Sequence, residues 1–134
     1  MKSALRTLAI GLAAAIAASP AAAADWWLVS GVPSQPTAIF ADVESLSRKG
    51  SNAELKVLRI DRVGRAIETV QQIQCDKPST AAEEEDVRQF ACASEAERDQ
   101  HGLILAAMSP IVVARMIFTT EMTAEAQAEA EPRT

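Results

Sequence analysis

Ala53-Glu54-Leu55-Lys56-Val57-Leu58-Arg59-Ile60, then Asp61-Arg62-Val63-Gly64-Arg65, then the run from Ala66 to Cys75 read as two strands joined by a turn, and they decide the fold. In the first strand Leu55 and Val57 share one face while Leu58 and Ile60 share the other. Side chains alternate across a strand, so this parity slip predicts either a bulge or a strand covered on both sides. Gly64 supplies the positive φ that a hairpin connection uses. In the second strand Ile67, Thr69, Ile73 and Cys75 fall on one face and Glu68, Gln72 and Gln74 on the other, which predicts one buried and one wet face.

Upstream, Asp25-Trp26-Trp27-Leu28-Val29-Ser30 is aromatic and branched and stops at Gly31, Pro33 and Pro36, the pattern of a first strand and loop. Thr37 to Asp42 reads as another strand. Val43 to Leu46 is too short for a helix and reads as a single turn before a tight bend at Ser47-Arg48-Lys49-Gly50. Downstream of Pro78, Ser79-Thr80 offers caps, Glu83 to Asp86 fills a first turn, and Val87, Phe90, Ala91 and Ser94 repeat at helical spacing. These predict a helix from about Thr80 to Ser94, with a strand over Val87 to Ala93 as the competing reading. Ala96 to Gly102 is polar and reads as a loop, and Leu103 to Met108 as a short strand or a lead-in. Ser109-Pro110 then opens a second helix that ends near Phe118. The expected architecture is α+β: a small antiparallel sheet of about four strands packed against one or two helices in a single domain, 25–119.

The two flanks have different character. Lys2 and Arg6 precede an apolar run from Leu8 to Ala18, Pro20 breaks it, and Ala22-Ala23-Ala24 places small residues at a cleavage position. Residues 1–24 therefore read as a secretory signal peptide; an uncleaved anchor is the alternative, since Leu5 to Ala24 has the length to span a bilayer. No Cys lies near the cleavage point, so a lipid anchor is not expected. Residues 120–134 are rich in Ala and Glu and have little to bury, the signature of a frayed acidic tail. Removing residues 1–24 takes away Lys2 and Arg6 and no acid, moving the formal charge from −5 to −7. That balance argues against nucleic-acid binding. Ile104 to Phe118 is interrupted by Ser109, Pro110 and Arg115, so no membrane span is expected after cleavage.

Cys75 and Cys92 both fall in the exported part. In an oxidising compartment one disulfide across that interval is the natural reading, with two free buried thiols as the alternative. Cys92 lies off the Val87, Phe90, Ala91 stripe, so a bridge to the sheet requires the helix end to fray or turn there.

The residues that carry chemistry elsewhere are sparse. His101 is the one histidine, in Asp99-Gln100-His101-Gly102, and no second His or Cys stands at ligand spacing. No Gly-x-Ser-x-Gly elbow is present, and Glu83-Glu84-Glu85-Asp86 lacks the spacing and central Gly of a calcium loop. No catalytic, cofactor or metal site is expected. Arg48, Lys49, Lys56, Arg59, Arg62 and Arg65 bias the third strand and its turns toward positive charge. They read either as an electrostatic docking patch or as protection of an exposed strand. Trp26 and Trp27 must point to opposite faces, so at least one is core. Trp26, Trp27, Arg48, Lys49, Arg59 and Arg62 are thus the candidate partner-binding residues.

Asp25-Trp26-Trp27, the stretch Phe40-Ala41-Asp42-Val43-Glu44-Ser45-Leu46-Ser47-Arg48-Lys49-Gly50, and a strand hairpin ending in Cys together resemble the bacterial surface-adhesin protein E-like family. Asp42, Ser45, Leu46 and Arg48 occupy its central motif, and Gln89-Phe90-Ala91-Cys92 looks like the end of its helix. The family usually carries further strands after the first Cys, and its namesake is lipid-anchored, features not matched here. The resemblance, over roughly Asp25 to Cys92, implies a non-enzymatic envelope protein. The expected function is a periplasmic or cell-surface binding module with a protein partner. The alternative is a small inhibitor or structural protein acting on an envelope enzyme through an exposed strand or the Trp pair.

Overall fold

The computed structural model describes residues 24–119; the expected acidic tail and all of the expected signal peptide but Ala24 lie outside the described residues. In chain order the elements are β1 (Trp26–Ser30), β2 (Thr37–Lys49), β3 (Asn52–Asp61), β4 (Ala66–Gln74), α1 (Ala82–Cys92), a 3-10 turn (Glu95–Gln100) and β5 (Leu103–Ile104). A last helix, α2, follows over 110–119. The fold is α+β, as the residue patterns predict. Five strands form one antiparallel sheet in the order β4-β3-β2-β1-β5. Gly50 (φ 59°) and Gly64 (φ 92°) take left-handed conformations in the two tight turns that fold β2, β3 and β4 into a meander.

The parity slip in β3 has a simple cause: the strand is covered on both sides. On one face Leu55 and Val57 join Ile39, Ala41 and Ala53 beneath Val87, Phe90 and Ala91 of α1. On the other, Ile60 joins Ala38 and Phe40 against Leu105 and against Ala114 and Phe118 of α2. β2 is the shared wall, with Ala38, Ile39, Phe40 and Ala41 all at 1 % exposure or less. Its run of alternating residues feeds both cores in turn.

The irregularity lies in β2 instead. Asp42 pairs with Lys56 and Ser47 with Glu54, so Val43 to Leu46 stand opposite Leu55 alone. The expected turn at Val43 to Leu46 is thus a bulged stretch of a long strand, and the tight bend comes after Lys49. Ser45 makes this arrangement workable: its hydroxyl donates to the Asp42 carbonyl and accepts the Lys56 N–H, both at 2.8 Å. A side chain replaces the ladder bond that the bulge removes.

Two further expectations need correction. β4 does not bury one face, because Ile67 and Val70 are 65 % and 62 % exposed. α1 packs its apolar face over the inner strands, and on the β4 side only Ile73 and Cys75 border that core. The segment from Glu95 to Gln100 is a 3-10 turn and not a loop.

α1 is a helix, shorter than expected by two residues at each end. Its N-cap is Ala81, whose side chain caps nothing. Glu85 instead ties down the chain ahead of the helix: its carboxylate accepts the Ser79 N–H, two residues before the cap, at 2.8 Å. The Cys75–Cys92 disulfide is formed, with Cα atoms 5.7 Å apart. Cys92 is the last helical residue and Ala93 is already extended (φ −70°, ψ 151°). The chain leaves the helix at the cysteine, and this lets an off-stripe residue reach the sheet.

Candidate functional site

The six candidate residues do not converge. β1 sends its tryptophans to opposite faces, where both are half-buried. Trp27 packs on Phe90 with ring centroids 5.7 Å apart, and Trp26 borders the Phe40 and Ile60 cluster. The Trp27 indole N–H is buried and meets no acceptor among the described residues. The pair is wall material for two cores.

Three of the four basic candidates are engaged internally. Arg48 donates to the Cys92 carbonyl at 2.9 Å and to the Gly50 carbonyl at 3.3 Å, so a cation sits at the negative end of the α1 dipole. Arg59 reaches the Glu84 carboxylate at 2.8 Å and Gln71 at 3.1 Å, and Gln71 donates to the second Glu84 oxygen at 2.8 Å. This closed set ties the start of α1 to β3 and β4. Arg62 donates to the Pro33 carbonyl and lies over the Phe118 ring, 5.2 Å from its centroid. Lys49 borders a hollow of about 530 Å³ with Ser47, Asn52, Glu54 and Gln72. Lys49 and Arg62 stand at opposite ends of β3, roughly 30 Å apart at a strand's rise per residue. Since β3 is an inner strand, its charges do not protect an edge either; Arg59 fastens it to β4 and α1.

The acidic run is likewise structural. Glu85 receives a two-pronged contact from the Arg88 guanidinium. That contact, then the Ser79 N–H, and further the Gln89 amide hold its carboxyl down to about 2, against an opposing push from burial. Arg88 is raised in turn by Glu85 and donates to the Cys75 carbonyl at 2.7 Å. At the β3–β4 turn the Arg65 backbone N–H, with further help from the Val63 N–H and the Arg65 side chain, lowers Asp61.

His101 and Asp99 line a hollow of about 390 Å³ with Asp86, Gln89 and the β1 backbone. Gly102 beside them is a matter of packing, since a Cβ there would fall 2.6 Å from the Phe90 ring. Among the described residues no group of three His, Cys, Asp or Glu side chains is placed to hold a metal ion. None of the described helices is long and apolar enough to cross a membrane.

Two features lie outside the six candidate residues. The first is the outer edge of β4, nine residues long, with Glu68 its one charged side chain and Ile67 and Val70 exposed. The low charge of the run 66–74 was its signal in the sequence. On the α2 face this edge borders a groove of about 420 Å³ lined by Trp26, Leu58, Ile60, Ala66, Glu68 and the 105–111 segment. The second is Asp42, buried at 4 % exposure. Its Oδ1 accepts the Asp25 N–H at 2.9 Å and the Glu44 N–H at 3.0 Å.

No protein-family model, no curated protein and no solved structure matches the chain.

Proposed function

We propose that this is a non-enzymatic, exported envelope protein that binds a protein partner by adding the partner's extended segment to the edge of β4, which no strand pairs among the described residues. The observation that carries the reading is the edge itself: nine residues, no Lys, Arg or Pro, and exposed Ile67 and Val70. Sheet edges of this length are ordinarily blunted by lysines, prolines or a covering element, because their unpaired N–H and C=O groups recruit another strand. Strand addition draws affinity from those main-chain groups and selectivity from the alternating side chains. Export is supported by the leader-like residues 1–24 and is consistent with the Cys75–Cys92 disulfide. The resemblance to surface-adhesin protein E-like proteins supports an envelope location. It does not point to a contact surface, since Asp42, Ser45 and Arg48 of the shared motif are occupied inside the fold.

The test is affinity capture from envelope fractions with the exported wild-type chain and with Ile67→Lys and Val70→Lys. The wild type retains a partner whose binding protects β4 amides from hydrogen exchange. Both variants lose it while keeping the wild-type melting temperature. Failure to retain any partner from low to high salt, or protection located away from β4, overturns the reading. Inhibition of an envelope hydrolase by the same edge would place the protein in the inhibitor class instead.

A further inference from the structure

We propose that Asp42 is the receptor for a new chain terminus: the α-ammonium of Asp25, created by cleavage of the Ala24–Asp25 bond. The proposal rests on the export reading and adds to it a binding site inside the folded domain.

The geometry is already set. Asp42 is a carboxylate at 4 % exposure, and its Oδ1 receives the Asp25 nitrogen at 2.9 Å. Asp25 is fixed from the other side, since its carbonyl accepts the Val43 N–H at 2.9 Å. The next residue, Trp26, pairs with Asp42 across the β1–β2 ladder. These contacts all lie at Asp25 or beyond it, so breaking the bond to Ala24 leaves the nitrogen where it is. Ala22-Ala23-Ala24 gives a processing peptidase the small residues it requires.

In the cleavage step water adds across the peptide bond. The hydroxyl goes to the Ala24 carbonyl carbon, which leaves as a carboxylate, and the Asp25 nitrogen takes up protons to become an ammonium. An N–H···O⁻ bond with one ionised partner becomes an N⁺–H···O⁻ ion pair in which both partners are charged. It also gives a buried anion, so far met by two neutral backbone donors, the counter-charge that burial calls for. The other charged residues next to the site are Lys56, paired with Asp42 across the β2–β3 ladder, Glu44 two residues on, and Asp25 itself. Lys56 opposes the ammonium and the carboxylates favour it; Asp42, in direct contact, has the largest effect.

A free α-amino group titrates near 7.7–8.0. Held against Asp42, the ammonium is favoured and its pKa is raised, so it resists deprotonation and acylation. The test uses protein purified from the compartment to which the full chain is exported. Intact mass and N-terminal sequencing identify the terminus, and mass spectrometry follows acylation of the α-amine against pH. Expected are a chain beginning at Asp25 and an α-amine acylated at pH 8 about ten-fold more slowly than an ordinary one. Asp42→Asn, which keeps the Oδ1 acceptor, restores the ordinary rate. The wild-type measurement stands without the variant, should the variant not fold. A terminus at Asp25 with an ordinary amine overturns the receptor assignment and leaves export intact. A chain that keeps residues 1–24, or begins elsewhere, overturns both the cleavage and the receptor that depends on it.

Discussion

Gly102 lies against the ring of Phe90 so closely that an added Cβ would stand 2.6 Å from Cε2 and 2.7 Å from Cδ2, with the Leu28 carbonyl at 3.3 Å. Phe90 is fully buried between Trp27 and the sheet, so the ring cannot swing away. Gly102→Ala should therefore destabilise the protein by about 1–3 kcal/mol, the usual cost of overpacking. Chemical denaturation checks this, and Phe90→Leu in the Gly102→Ala background should cost less than the two single changes added together.

Ser45→Ala should destabilise by about 1–3 kcal/mol, because it strands the Lys56 N–H that the hydroxyl accepts within the β2 bulge. Ser45→Thr keeps the hydroxyl and should recover most of the loss. A melting curve for each variant distinguishes this from a general intolerance of substitution at the site.

Reduction of Cys75–Cys92, or Cys92→Ser, should cost about 2–4 kcal/mol by the loop-entropy estimate. Amide exchange should accelerate first in α1, since Arg48 and Arg88 also converge on the Cys92 and Cys75 carbonyls and lose alignment when the bridge opens.

Acid should act on the start of α1. Glu85 is held down to about 2 in the fold, against an ordinary value of 4.5. A depressed carboxyl contributes stability that is complete above the unfolded value and is lost as pH falls through the folded one. The slope of stability against pH between about 4.5 and 2 should thus flatten in Glu85→Gln. Urea titrations of both proteins at several pH values measure it, and equal slopes would remove Glu85 from the account.

The strands and the first helix were legible in the sequence because their patterns are local: parity in Ala53 to Ile60, helical spacing through Val87, Phe90 and Ala91. The parity slip left a bulge and cover on both faces open, and the second is what the fold shows. What escaped was set at a distance. Whether β4 buries Ile67 depends on where α1 lands, which the disulfide and Arg88 decide from the far end of the strand. The β2 bulge is invisible in Val43 to Leu46 alone, since it exists through a hydroxyl meeting an amide eleven residues away. The basic residues read as a docking patch or as strand protection because sequence carries charge but not its partners; Arg59 finds Glu84, and Arg62 finds Phe118, only after folding.

The two tryptophans, adjacent in the chain, report on different rooms. Trp27 sees the core closed by α1, which is sewn to the sheet through sulfur; Trp26 sees the core closed by α2, which is held through its Ala114 and Phe118 and by the cation of Arg62 over the Phe118 ring. One side of the molecule is bolted and the other is latched. Its lowest-energy excursion should be a one-sided opening in which α2 lifts while the α1 half keeps its shape. Single-tryptophan variants would then record two separate transitions from neighbouring residues of one short strand.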